Sequence, residues 1–318
     1  MTKANSKNIK VGLIGCGMVG MSFIYAMVNQ GIGDDFILID VFPQASEGNA
    51  MDVQDSFANL PLPPNSIIAG TYKDLKDVDL LVITAGRPQK PGETRLDMVK
   101  DNAKIMSSIA SEVKASGFTG ITLIASNPVD VLTYVYQKET GFSKNKVIGS
   151  GTVLDSARLQ YFLAKKFNVN AKHVNVWVIG EHGDSSVATY TSGTIAGIPI
   201  YDYAKAHGVS KEDLAKIHKD SIQRAYEIIN RKKSTYYGIG VSLTRIARSV
   251  IRNQKAILPV GVFTNGQYGC QGSVLNLLAT VGIDGVEQTF AIKLSKEEEA
   301  ELMNSSKIIT ETFKTIEH

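Results

Sequence analysis

The sequence predicts an α/β chain, a doubly wound parallel sheet followed by a mixed α+β domain. Three observations carry that prediction. Short apolar runs alternate with longer amphipathic ones through the first half, the pattern of strands joined by crossover helices. A glycine-rich turn, Gly15-Cys16-Gly17-Met18-Val19-Gly20, joins the first apolar run to the first amphipathic one. From about Ser150 onward, long helical patterns mix with strand-like pieces and the alternation stops. The expected division is 1–149 and 150–318, and 318 residues suffice for two units that each bury a core.

Taken in order, Val11-Gly12-Leu13-Ile14 and Phe36-Ile37-Leu38-Ile39-Asp40 read as buried strands. Leu80-Leu81-Val82-Ile83 and Ile121-Thr122-Leu123-Ile124 do the same, and Val147-Ile148-Gly149 closes the series. Between them, Met18–Gln30, Gln44–Asn59 and Asp97–Ser116 carry apolar residues near helical spacing. In the second half the spacing predicts helices over Val153–Phe167, Lys211–Arg231 and Lys296–Lys314. Val174-Asn175-Val176-Trp177-Val178-Ile179 and the stretch Ala256–Val262 read as strands. No flexible linker separates the halves, so the crevice between them is the expected site.

Composition narrows the function classes. A net charge of +3 is too small to argue for nucleic acid or an anionic membrane as partner. Arg231-Lys232-Lys233, the densest basic cluster, falls where a helix ends and cations favour its dipole. Two cysteines without metal-ligand spacing fit a reducing compartment and no metal site. No run of about eighteen apolar residues exists to span a bilayer, and the amino terminus, Met1 to Asn8, is polar and lacks the apolar stretch of a signal peptide, so the expectation is a cytoplasmic protein.

The glycine loop follows a predicted strand and opens a predicted helix. Gly15 permits the tight turn, Gly17 lets backbone amides approach a pyrophosphate, and Gly20 allows close helix–sheet packing. That is the Rossmann-type arrangement, with the phosphates at the positive end of the helix. Asp40 ends the second strand, where a carboxylate accepts hydrogen bonds from ribose hydroxyls and repels a 2′-phosphate. NAD rather than NADP is therefore the expected cofactor. Thr84-Ala85-Gly86 and Ser126-Asn127-Pro128 end the next strands with small or polar residues, as a cofactor crossing the sheet edge requires.

The chemistry-bearing residues lie further along. Gly180-Glu181-His182-Gly183-Asp184 places one histidine on a flexible turn after an apolar run, suited to proton transfer near neutral pH. Asp155 and Arg158 are three apart on a predicted helix and project near one another. They divide the work if Asp155 orients His182 while Arg158 binds a substrate carboxylate bidentately. An aspartate in that place lifts the histidine above its ordinary value of about 6.5. The polar segment from Arg87 to Arg95 has the character of a lid that brings Arg95 to a carbonyl on closure. Lacking such company, His173, His207, His218 and His318 read as surface residues.

These motifs, with Asn127-Pro128-Val129-Asp130 and Ser234-Thr235-Tyr236-Tyr237-Gly238, occur in the order found in one family. Over its whole length the chain is similar to the bacterial L-lactate dehydrogenases of the lactate/malate dehydrogenase family. The resemblance implies that His182 is the proton donor and acceptor, Asp155 its partner, Arg158 the carboxylate clamp and Arg95 the mobile-loop arginine. It implies that Asn127 binds substrate, that Thr235 lines the pocket, and that Val19, Asp40, Tyr72 and Gly86 contact the dinucleotide. It implies L stereochemistry, pyruvate and L-lactate as substrates, and a homotetramer.

Substrate choice rests on Gln89, where malate enzymes of the family usually carry arginine. A neutral glutamine leaves a second carboxylate without a partner, so pyruvate is favoured over oxaloacetate. Malate or a branched 2-hydroxyacid is the alternative substrate. A cofactor-binding protein without catalysis is the alternative class, and it would have shed His182, Asp155 or the arginines. Two departures from the family stand out. The arginine and histidine that bind fructose 1,6-bisphosphate in many bacterial members are replaced by Gln160 and Asn175, so weak or absent activation is expected. In Gly272–Gly285 the usual proline-containing pattern gives way to Val274-Leu275-Asn276-Leu277-Leu278, which puts local loop geometry in question.

Overall fold

A computed structural model describes residues 7–87 and 95–316, without the side chains of Arg95 and Leu96. The first half runs β1 (Lys10–Ile14), α1 (Met18–Asn29), β2 (Asp35–Ile39), α2 (Pro43–Gln54), β3 (Ser66–Ala69), β4 (Leu80–Ile83), α3 (Arg95–Ala115), β5 (Ile121–Ile124), α4 (Val129–Thr140) and β6 (Val147–Gly149). The six strands are parallel in the order β6-β5-β4-β1-β2-β3. Successive side chains of a strand point to opposite faces. Accordingly Val11, Leu13, Phe36, Leu38, Leu80 and Val82 belong to the core on one face. Their neighbours Ile14, Ile37, Ile39, Leu81 and Ile83 belong to the core on the other. Because both faces are covered, these strands are continuous apolar runs without alternation. The chain order reverses between β1 and β4, which opens a crevice at their carboxyl ends.

The second half supplies α5 (Val153–Phe167), β7 (Val174–Asn175), β8 (Val178–Ile179), β9 (Val187–Ala188), β10 (Thr194–Ile195), β11 (Ile198–Pro199), α6 (Ile200–Ala206), α7 (Lys211–Lys232), α8 (Tyr237–Ile251), β12 (Ala256–Asn265), β13 (Gln271–Gly282), β14 (Gly285–Thr289) and α9 (Lys296–Ile316). Its antiparallel β12, β13 and β14 continue the parallel sheet to nine strands. The junction is the pair Gly261–Gly149, where a Cβ on Gly261 would lie 3.0 Å from the Gly149 Cα. Glycine at both positions lets the two backbones dock.

Most expected elements form within a few residues of their predicted ends, and some do not. The run Val174–Ile179 is two short strands, because β7 pairs with β10 and β8 with β9. Val174, Val176 and Val178 still share one buried face, which is why the run reads as a single strand. The predicted helix Gln44–Asn59 stops at Gln54 and resumes as a 3-10 turn at Phe57–Asn59. The altered segment around Asn276 is the interior of β13, a strand, with Asn276 wholly buried. Among the unforeseen elements are β3 and α8. Glycine lowers helix propensity, and Gly238 and Gly240 mask the start of α8. Gly240 is needed there because a Cβ would come within 2.7 Å of Ser22 on α1.

Candidate active site and cofactor cradle

His182 is presented by a turn that begins where β8 ends. Gly180 has φ +93, and a Cβ there would meet the Ser305 hydroxyl at 2.7 Å, so only glycine makes this turn. Its backbone is held to Asn276 of β13 by reciprocal hydrogen bonds of 2.9 and 3.1 Å. The imidazole then faces Asp155 on the first turn of α5, with Nδ1 2.7 Å from Oδ2. Facing a carboxylate, Nδ1 keeps its proton in both charge states, and Nε2 is the nitrogen that gains and loses one. The Asp155 charge pushes His182 up to about 9. Burial and Arg158 oppose that rise, while the hydrogen bond to Asp155 and the charge of Asp130 add to it. Burial would raise the carboxyl of Asp155, but the charge and hydrogen bond of His182, with Arg158, hold it below its ordinary value. Arg158 Nη1 lies 3.4 Å from Asp155 Oδ1, and its side chain is 12% exposed.

A cavity of about 330 Å³ brings His182, Asp155, Arg158, Asn127, Thr235 and Val19 to one space. Five of these six polar and apolar residues were expected at the substrate, and Val19 at the cofactor. Ile222, Ala225 and Ile229 of α7 and Ile239 of α8 form an apolar wall, while Ser150, Asp184 and Tyr226 add polar groups to the lining. Such a pocket buries a small acid with a few fixed polar contacts. Gln89 lies outside the described residues, as does the side chain of Arg95, whose backbone opens α3.

A second cavity, of about 890 Å³, lies at the carboxyl ends of β1, β2 and β4. Gly15, Gly17, Asp40, Tyr72 and Thr84-Ala85-Gly86 line it, all expected at a dinucleotide. The three glycines have separate jobs. A Cβ on Gly15 would lie 2.5 Å from the Ala85 nitrogen, and one on Gly20 2.2 Å from the Gly15 carbonyl oxygen. Gly20 thus acts by letting α1 approach the loop. A Cβ on Gly17 would meet nothing within 4 Å and would stand in open space. No side chain caps α1, whose first-turn amides remain available to an anion. Asp40 accepts hydrogen bonds from Cys16 N–H at 2.7 Å and Phe42 N–H at 3.0 Å. Each carboxylate oxygen has a second lone pair for a ribose hydroxyl. An open cradle, free helix amides and a strand-end carboxylate together fit NAD. Burial, aided by Asp40, pushes the Cys16 thiol up to about 12, so this loop cysteine is inert.

Two residues at the site escaped the sequence reading. Asp130, on the first turn of α4, accepts His182 N–H at 2.9 Å through Oδ2. Its Oδ1 accepts the Asn276 amide at 2.9 Å. Burial pushes Asp130 up to about 6, against the restraining effect of both hydrogen bonds and the His182 charge. The signal was a carboxylate in the apolar run Val129-Asp130-Val131-Leu132 and an amide in the apolar run around Asn276. His218 also departs from expectation. Its Nε2 is buried without a hydrogen-bond partner, and burial pushes the imidazole down to about 4. His173 and His207 are exposed, as expected, and His318 lies outside the described residues. Among the described residues, no cluster of His, Cys, Asp or Glu is arranged to hold a metal ion. No helix there is long and apolar enough to cross a membrane.

Known proteins are similar to this chain in sequence and fold. Residues 9–149 match the family model of the lactate/malate dehydrogenase NAD binding domain, and residues 152–318 that of the alpha/beta C-terminal domain. An L-lactate dehydrogenase of Mycoplasma capricolum is 52% identical over 309 residues, covering 97% of this chain and 98% of that protein. The crystal structure of the minor L-lactate dehydrogenase from Enterococcus mundtii, in its ligands-bound form, superposes with a TM-score of 0.96 at 41% identity. The match covers 98% of this chain and 99% of that one. A lactate dehydrogenase from a Medee basin deep-sea metagenome library gives 0.95 at 43% identity, over 98% of this chain and all of that one. With a glycine cradle in one half, a histidine–aspartate couple in the other, and both family models matched in sequence, the chain belongs to the lactate/malate dehydrogenase family.

Proposed function

We propose that the chain is an NAD-dependent L-lactate dehydrogenase that interconverts pyruvate and L-lactate. The observation that carries this is the 2.7 Å His182–Asp155 couple in one small cavity with Arg158 and Asn127. Bound in the cradle of Gly15, Gly17 and Asp40, NAD would supply the redox chemistry, as hydride donor or acceptor for the substrate carbon. As the carbonyl π bond opens, His182 Nε2 gives its proton to the oxygen, and lactate oxidation returns it. Asp155 holds the ring orientation and stabilises the imidazolium. Arg158 binds the substrate carboxylate, and Asn127 hydrogen-bonds the substrate. By its place in the family's order, Arg95 polarises the keto oxygen. The apolar wall and Thr235 accept a methyl group, and the neutral Gln89 disfavours a second carboxylate.

The division into 1–149 and 150–318, the homotetramer and a cytoplasmic location follow from the same assignment. Gln160 and Asn175 carry no positive charge, and Gln160 is engaged with the Val176 carbonyl at 3.2 Å. These residues support weak or absent activation by fructose 1,6-bisphosphate. The test is NADH oxidation with pyruvate, oxaloacetate and 2-oxoisocaproate in parallel. Pyruvate with the highest kcat/KM is the expected result, and a preference for oxaloacetate overturns the substrate assignment.

A further inference from the structure

Asn276 is a wholly buried amide among the apolar residues of β13. Its Nδ2 donates to Asp130 Oδ1 at 2.9 Å and to the Gly180 carbonyl at 2.7 Å. Only the nitrogen end of an amide can face two acceptors, so this orientation is set by chemistry. The Asn276 backbone also pairs with Gly180 in both directions. The second Asp130 oxygen takes the His182 N–H. Three segments, β13, the first turn of α4 and the Gly180–His182 turn, thus meet at one carboxylate.

The amide has a cost. Its Oδ1 is buried without a partner, against Gly151 and Gly261, where a Cβ would lie 2.8 and 3.3 Å from it. An orphaned acceptor is destabilising, and a leucine like its neighbours would suit packing alone better. The donor end must be what the position serves. We propose that Asn276 is a positioning residue for His182, fixing the histidine turn to α4 through the Asp130 carboxylate.

The charged groups facing Asp130 are His182 and Glu181, and those facing His182 are Asp155, Asp130 and Arg158. Hydrogen bonds to an ionised carboxylate favour that form. Without the Asn276 donor, Asp130 keeps one hydrogen bond instead of two and the His182 turn loses an anchor, so the 2.7 Å contact with Asp155 that raises His182 loosens. The catalytic consequence rests on the dehydrogenase reading above, whereas the effect on His182 itself does not.

The test compares the parent with Asn276→Ala and the shape-conserving Asn276→Asp, so that one folding failure leaves a second variant. NMR of protein labelled at histidine Cε1 follows the His182 titration, and steady-state kinetics with pyruvate and NADH are run beside it. In Asn276→Ala, His182 should titrate at least about half a pH unit lower. The kcat should fall about ten-fold while KM for NADH is unchanged. In Asn276→Asp, two carboxylates share one proton, so activity should survive at acid pH and fall steeply once that proton leaves. An unshifted His182 titration in a folded variant, or kinetics equal to the parent's, overturns the proposal. A parent that fails to reduce pyruvate refutes the dehydrogenase reading alone, and the NMR titration still decides the role of Asn276.

Discussion

Replacing Asp155 with asparagine preserves shape and removes the charge that does most to raise His182. The rise from 6.5 to about 9 amounts to about 3 kcal/mol of preference for the imidazolium. In Asp155→Asn, burial and Arg158 still disfavour the cation and only Asp130 favours it. His182 should therefore fall to about 6.5 or below. At about pH 7.5 a group titrating at about 9 is almost wholly protonated, and one at about 6.5 is protonated in about one molecule in ten. Pyruvate reduction needs the protonated form, so its kcat/KM drops about ten-fold from protonation alone. Loss of ring orientation adds to this, up to the roughly 10⁴-fold seen when a triad aspartate is made neutral. Lactate oxidation needs the neutral form, so its limb moves to lower pH as well. The assay is kcat/KM against pH in both directions, at saturating cofactor. Limbs that stay near the parent's in Asp155→Asn would refute the assignment of Asp155 as the source of the shift.

Other consequences are as direct. Gly17→Ala should leave the melting temperature of the cofactor-free protein unchanged, because its Cβ meets nothing, yet weaken NADH binding in a fluorescence titration. Gly20→Ala should destabilise, since its Cβ would lie 2.2 Å from the Gly15 carbonyl oxygen, and equal melting temperatures for the two variants would contradict this account. His218 is held below its unfolded value, so the unfolded chain binds the extra proton and stability falls as pH drops from about 6.5 to about 4, by up to about 3 kcal/mol. His218→Gln should flatten that part of the melting-temperature profile, and a profile parallel to the parent's would show that the imidazole ionises in place. Fructose 1,6-bisphosphate should change the pyruvate KM by less than about two-fold, as expected for a site without its cations, and a large drop would overturn the reading of Gln160 and Asn175.

The parallel sheet was legible because its strands are buried on both faces and so stand out as unbroken apolar runs. The cofactor cradle was legible because Gly15 and Gly20 answer local backbone demands and Gly17 keeps open the space a pyrophosphate needs. His182, Asp155 and Arg158 were legible because their residue types, in that order, suit proton transfer and carboxylate binding. What stayed hidden depends on partners remote in sequence. The break within Val174–Ile179 reflects a change of pairing strand, which spacing cannot express. The helix α8 begins with glycines that discourage helix locally and are required by contact with α1. Asp130 and Asn276 are separated by 146 positions, and their hydrogen bond exists only after β13 has joined the sheet. His218 looks like any polar helix residue until the wall that covers its Nε2 is in place.

The docking of β12 on β6 through Gly261 and Gly149 also bears on how this protein can be taken apart. A fragment ending at Gly149 would keep its glycine cradle but bare the outer side of β6. A naked strand edge of unpaired amides and carbonyls is a template for adhesion between molecules. Isolating or transplanting the NAD-binding half therefore calls for a surrogate strand along β6, or a polar substitution that blunts it. Without one, the expected product is aggregate, even though every residue of the cradle is present.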